Sequence, residues 1–99
     1  MTIYKYHIML HRIYKKHSNS SFVSKELDEL NINSMMQNYL RQKKFVRYIK
    51  RKQAEELRPE MKEWINAPWS FQKLTQEGLK VARFLDKNEH LIAKKLLRL

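Results

Sequence analysis

Apolar positions recur along this chain with two spacings, and each change of spacing marks a new element. From Ile3 to about Lys16, the residues Ile3, Tyr6, Met9, Leu10, Ile13 and Tyr14 follow steps of three and four, which predicts an amphipathic helix. The polar cluster His17-Ser18-Asn19-Ser20-Ser21 ends it, and Phe22-Val23 is apolar and branched enough for a short strand. Ser24 offers a capping oxygen to a second helix from Lys25 to about Leu30. Glu26 and Asp28 suit its positive end, and Leu27 and Leu30 face the first helix. Asn31 tolerates the left-handed backbone of a tight turn, Ile32 plugs it and Asn33 caps a third helix. There Met36, Tyr39 and Leu40 are expected inward, and Ser34, Gln37, Asn38 and Arg41 outward.

The period then shortens to two. Phe45-Val46-Arg47-Tyr48-Ile49 and Trp69 to Leu74 both alternate as half-buried strands do, and the two are expected to pair as an antiparallel hairpin. Between them Leu57, Met61, Trp64 and Ile65 return to helical spacing, with Pro59 in the first turn. This predicts a helical insert at about 53–68, closed by Asn66-Ala67-Pro68. Thr75 caps a C-terminal helical region at about 76–98. Its stripe runs through Leu79, Ala82, Leu85, Leu91, Ile92, Leu96 and Leu97, and Asp86-Lys87-Asn88 can break it in two. The expected fold is mainly α with a small antiparallel β hairpin, in a single domain over residues 1–99. A rival all-α arrangement, with Ser34 to Leu57 as one helix, is disfavoured by the β-branched and aromatic run at 45–49.

Charge changes the picture more than composition does. The chain carries a net charge of +11, distributed as +9 over residues 1–52 and +2 over residues 53–99, so a polyanionic partner is expected to meet the first half. From Arg41 to Lys52 seven cations (Arg41, Lys43, Lys44, Arg47, Lys50, Arg51, Lys52) occur with no acid among them. With no cysteine there is neither a disulfide nor a cysteine-bound zinc. The N-terminal stretch lacks the apolar core and cleavage site of a secretory signal, and no run approaches the roughly 18 to 20 apolar residues that span a bilayer. The expectation is a soluble cytoplasmic protein, nucleoid-associated and without membrane contact.

Two strings, SKELDELNINSMMQNYLRQKKFV and KLTQEGLKVARFL, carry a likeness. The first resembles the paired helices that lead into the first wing strand of a winged helix-turn-helix domain. The second, with Leu-Thr-x-x-Gly, resembles the second wing strand leaving into the last helix, as in small regulators of the PadR and MarR kind. Together the two strings hold 36 of the 99 residues. The chain departs from the pattern in a short third helix, in Asn31 where glycine is common, and in a wing interrupted by about fifteen residues. The resemblance implies a transcription factor that reads double-stranded DNA, often a dimer joined by its C-terminal helices. By that analogy Asn33, Ser34, Gln37, Asn38 and Arg41 face the major groove, while Lys43, Lys44, Arg47, Lys50, Arg51 and Lys52 approach phosphates. Side-chain amides such as those of Asn33, Gln37 and Asn38 can pair with the edge of adenine. A protein-interaction module using the same basic face, and an RNA- or ribosome-associated protein, are the competing expectations.

Catalytic patterns are not found. His7 and His11 have the i, i+4 spacing of a helical metal pair, but no third ligand is evident and His-Glu-x-x-His is absent, so surface histidines are expected and no metal or cofactor. Glu55, Glu56, Glu60 and Glu63 are expected to neutralise neighbouring cations, and Trp64 and Trp69 to pack the insert. The sole glycine, Gly78, forms no phosphate-cradling loop, and no enzyme is expected.

Overall fold

The computed structural model describes residues 2–64 and 70–98, with side chains up to Ala93. The chain is mainly helical with one small sheet: α1 (Lys5–His17), β1 (Ser21–Val23), α2 (Ser24–Glu29), α3 (Ser34–Gln42), β2 (Val46–Tyr48), α4 (Arg51–Leu57), a 3₁₀ segment (Pro59–Trp64), β3 (Phe71–Leu74), α5 (Gln76–Lys87) and α6 (Glu89–Arg98). The strand order is β1-β3-β2, with both pairings antiparallel.

Cross-strand neighbours share a face, so the register sorts every strand residue. Phe22, Gln72 and Tyr48 form one rung, with Val46 and Leu74 on the same side, and Phe22, Val46 and Leu74 join the main core of α1, α2, α3 and α5. The next rung, Ser21, Lys73 and Arg47, faces the other way with Val23 and Phe71. There α4 and the 3₁₀ segment cover Val23 and Phe71 through Ala54 and Met61, making a second, smaller core with Ile49 and Trp64 against it. Ser21 Oγ donates to the Ala54 carbonyl at 2.9 Å, and Arg58 Nη1 reaches both Glu26 oxygens at 2.8 and 2.9 Å, which ties the cover to β1 and α2. The expected insert is thus two elements, an α-helix that begins at Arg51 and a 3₁₀ segment that begins at Pro59. Ile65, Asn66, Ala67, Pro68 and Trp69 lie outside the described residues.

Turn chemistry fixes the corners. After α2, Ile32 N–H bonds the Leu27 carbonyl (3.0 Å) and Asn31 N–H the Asp28 carbonyl (2.9 Å), with Asn31 at φ 62°. This is the double closure that stops a helix on a left-handed residue. The same pair closes α3, Phe45 N–H to Leu40 and Lys44 N–H to Arg41, but there the left-handed residue is Lys44 at φ 64°. Asn33 and Thr75 cap α3 and α5 by accepting from Met36 N–H and Gly78 N–H, each at 2.9 Å. Ser24 is no cap: it lies inside α2, and its Oγ accepts from Gln72 Nε2 at 2.9 Å. Gly78 is needed for space, since a Cβ there would sit 2.1 Å from the Phe45 carbonyl oxygen. Thr75 N–H donates to that same carbonyl (3.0 Å) and Thr75 Oγ1 to the Lys44 carbonyl (2.6 Å), so the Leu-Thr-x-x-Gly string clamps the start of α5 onto the end of α3. In α6, Ile92 is buried in the main core and Leu91 packs against it, while the side chains of Leu96, Leu97 and Leu99 lie outside the described residues.

Candidate nucleic-acid interface

The exposed face of α3 is not quite the expected one. Gln37 is only 4 % exposed, with its Nε2 donating to Asp28 Oδ1 (2.9 Å) and to the Ile32 carbonyl (2.8 Å). It cross-braces the α2–α3 corner and is withdrawn as a base-reading residue. Tyr39, expected inward, is 38 % exposed. The helix is anchored through Asn33, Met36, Gln37 and Leu40, and its opposite face carries Met35, Asn38 and Gln42 with Ser34 beside them. Met35, at 81 % exposed, was missed because polarity was taken as the sign of the outward side, and Gln42, exposed at the last turn of α3, was given no role. The caps and the spacing of Ile32, Met36 and Leu40 were the available signal. Of the amides, Asn33 Oδ1 is occupied by its cap, and Asn38 Oδ1 accepts from Arg41 Nη2.

The seven cations divide. Arg41 is half-buried, donates to Gln72 Oε1 at 2.8 Å and lies 4.7 Å from the centre of the Tyr48 ring. It latches α3 to the sheet. Arg51 lies 5.3 Å from the centre of the ring of Phe71, a residue of the second core. Lys43, Lys44, Arg47, Lys50 and Lys52 are exposed, and among the described residues none has an ion pair. They do not form one ribbon: Lys43 and Lys44 sit at the α3 corner, Arg47 turns to the outer sheet face beside Lys73, and Lys50 and Lys52 mark the start of α4. Beside Lys43 lies an aromatic stack, Tyr4 on Tyr6 (5.6 Å) and Tyr6 against Tyr39 (5.3 Å), with the Lys43 ammonium 5.5 Å from the Tyr39 ring.

His7, His11 and His17, expected on the surface, are all buried; His90 is exposed. His7 Nδ1 accepts from Tyr4 N–H (3.0 Å), and burial, then the Lys43 ammonium, holds this imidazole below the usual range. Burial also lowers His17, outweighing the Glu26 carboxylate 3.9 Å away. His11 Nε2 lies 3.0 Å from Asp86 and 3.8 Å from Glu89, so the second and third partners that the sequence did not reveal come from α5 and α6. These three could hold a cation, their ligand atoms lying within 4.8 Å of one another. The Lys15 ammonium, 2.7 Å from Glu89, already balances that carboxylate, and these contacts tie α1 to the α5–α6 junction. Glu60 pairs with Arg58 Nε at 3.0 Å, and Trp64 is half-buried on the second core. Among the described residues no helix is long and apolar enough to cross a membrane.

No family model, curated protein or solved structure matches this chain.

Proposed function

We propose that this chain is a winged helix-turn-helix protein that reads double-stranded DNA, a small transcriptional regulator or phage- or plasmid-type accessory factor acting by occupancy without catalysis. In this reading α3 enters the major groove with Ser34, Met35, Asn38 and Gln42, while Lys43, Lys44, Arg47, Lys50 and Lys52 approach phosphates on either side. The observation that carries it is the α3 face itself: it is exposed along its length and is followed by cations that no carboxylate among the described residues answers. Phosphate contacts supply most of the affinity, and α3 supplies register and base contact. A homodimer through α6 belongs to the same reading and would set two half-sites about 34 Å apart.

The test is a mobility shift on random-sequence duplex across a salt series, followed by selection of bound fragments. Five phosphate contacts give a log–log slope of about 4 to 5. Failure to retard any duplex at low salt, or binding indifferent to salt, sinks the reading. One observation favours a second reading. The Tyr4, Tyr6 and Tyr39 stack beside Lys43 is a surface on which unpaired bases can stack, as in RNA recognition. Competition between duplex DNA and structured RNA, repeated with Tyr39→Ala, separates the two.

A further inference from the structure

The outer face of the sheet is covered by α4 and the 3₁₀ segment only at the Val23 and Phe71 end. At the other end it opens into a cavity of about 690 Å³, a size that suits a small organic ligand. Three cations from three elements line it: Arg47 of β2, Lys73 of β3 and Arg83 of α5. Arg47 and Lys73 are direct cross-strand partners, an arrangement in which like charges repel. Among the described residues no carboxylate lines the cavity and none of the three cations has an ion pair. Other cations in the fold are answered, Arg58 by Glu26 and Glu60, and Lys15 by Glu89.

The remaining walls suit an anion too. Thr75 and Gln76 bring the first turn of the twelve-residue α5 to the rim, so its positive dipole end adds to the field. Asn19 and Gln76 offer neutral donors. Guanidinium groups match the oxygens of a phosphate in pairs.

We infer that this cavity holds the phosphoryl group of a phosphate ester. The inference shares Arg47 with the proposed DNA surface and otherwise stands apart from it, since Lys73 and Arg83 have no part in that reading. The phosphoryl group belongs either to a small phosphorylated molecule or to the nucleic-acid backbone, and one experiment distinguishes them. Inorganic pyrophosphate is titrated into the full chain by calorimetry for wild type, Lys73→Gln, Arg83→Gln and the control Lys80→Gln, an exposed α5 cation outside the cavity. The same proteins are run in duplex mobility shifts across salt, with circular dichroism confirming that each is folded.

Saturable one-site binding that weakens about tenfold in Lys73→Gln and Arg83→Gln but not in Lys80→Gln supports the pocket. With duplex binding unchanged in Arg83→Gln, the source is a small molecule. A duplex salt slope lower by about one in Arg83→Gln, and not in Lys80→Gln, assigns the group to the backbone. Pyrophosphate binding that is absent or equally weakened by Lys80→Gln, together with an unaltered duplex slope in Arg83→Gln, overturns the inference. If no variant binds duplex at all, the DNA reading fails by itself and the pyrophosphate titration still decides the pocket.

Discussion

Two adjacent rungs of one sheet treat polar residues in opposite ways. In the Phe22–Gln72–Tyr48 rung, which faces the helices, the polar groups serve the fold: Gln72 bonds both Arg41 and Ser24, and Tyr48 lies beneath the Arg41 guanidinium. One residue along, the Ser21–Lys73–Arg47 rung faces the other way. Ser21 is held by Ala54, but Arg47 and Lys73 are brought together with no carboxylate among the described residues of their cavity. Arg41 and Arg47 are the same residue type six positions apart, and the helix face of the one and the strand register of the other give the first a structural task and the second a surface one. A cation's sequence position therefore says little about its role until the face it lies on is known.

The largest effect comes from removing the clamp on which both rungs depend. Gly78→Ala drives a methyl group into the Phe45 carbonyl, which backbone hydrogen bonds hold in place and no rotamer change can clear. A loss of about 3 kcal/mol is expected, read as a lower chemical-denaturation midpoint. An unchanged midpoint means that α5 does not approach Phe45 so closely, and the contrast between the faces loses its geometric basis.

Next comes the pair of arginines. Arg41→Ala leaves the buried Gln72 carbonyl without its donor and should destabilise by about 2 kcal/mol. Arg47→Ala should stay within about 0.5 kcal/mol of wild type, because its side chain is exposed, while lowering the salt slope of duplex binding by about 0.9. Equal stability losses in the two variants would erase the distinction.

That distinction was the least legible part of the sequence. Helix order, the Asn31 turn, the Asn33 and Thr75 caps and the β2–β3 pairing could be read because each rests on local spacing or on a residue with a narrow backbone preference. Gln37 and His11 were misplaced because hydrogen bonds across the fold override polarity, whereas His17 is buried by packing on Phe22 and Tyr39 is left exposed beside Tyr6 and Lys43. Gln37 is buried because Asp28 and the Ile32 carbonyl accept from it, and Asp28 is nine residues away. The partners of His11 are more distant still, Asp86 lying 75 positions along the chain. Lys73 and Arg83 fall within the second wing-like string but drew no site role from it, since only the fold brings them to Arg47.

A smaller effect is expected from pH. His7 and His17 have folded-state values below the unfolded value of about 6.5, so the unfolded chain takes up protons first as pH falls. Their contribution to stability is complete above about pH 6.5 and is lost as pH drops toward their lowered folded values. Among the described residues no histidine lines the outer-face cavity. Denaturation midpoints should therefore fall from pH 7.5 to 5.5 while the salt slope for duplex stays flat, and His17→Phe should blunt the first trend alone. A salt slope that followed the midpoint would tie the surface to the buried histidines.

The smallest effect has two opposite signs in one substitution. Lys44 ends α3 in a left-handed conformation, where a side chain is unfavourable and glycine or asparagine is the usual choice. Asn31 holds the equivalent place after α2, so the chain uses the favoured type at one corner and a lysine at the other. The Lys44 carbonyl is held by Thr75 Oγ1, while its side chain is exposed. Lys44→Gly keeps that hydrogen bond, relieves the backbone and should stabilise by about 0.5 to 1 kcal/mol, less than full relief because glycine gains freedom in the unfolded chain. The same change removes one cation from the α3 corner, and if Lys44 meets a phosphate the duplex salt slope drops by about 0.9. Higher stability with weaker binding would mean that this corner holds a charge at some cost to the fold, as the outer face does with Arg47 opposite Lys73. Higher stability with unchanged binding would leave Lys44 as strain without a task and confine the working cations to Lys43, Arg47, Lys50 and Lys52.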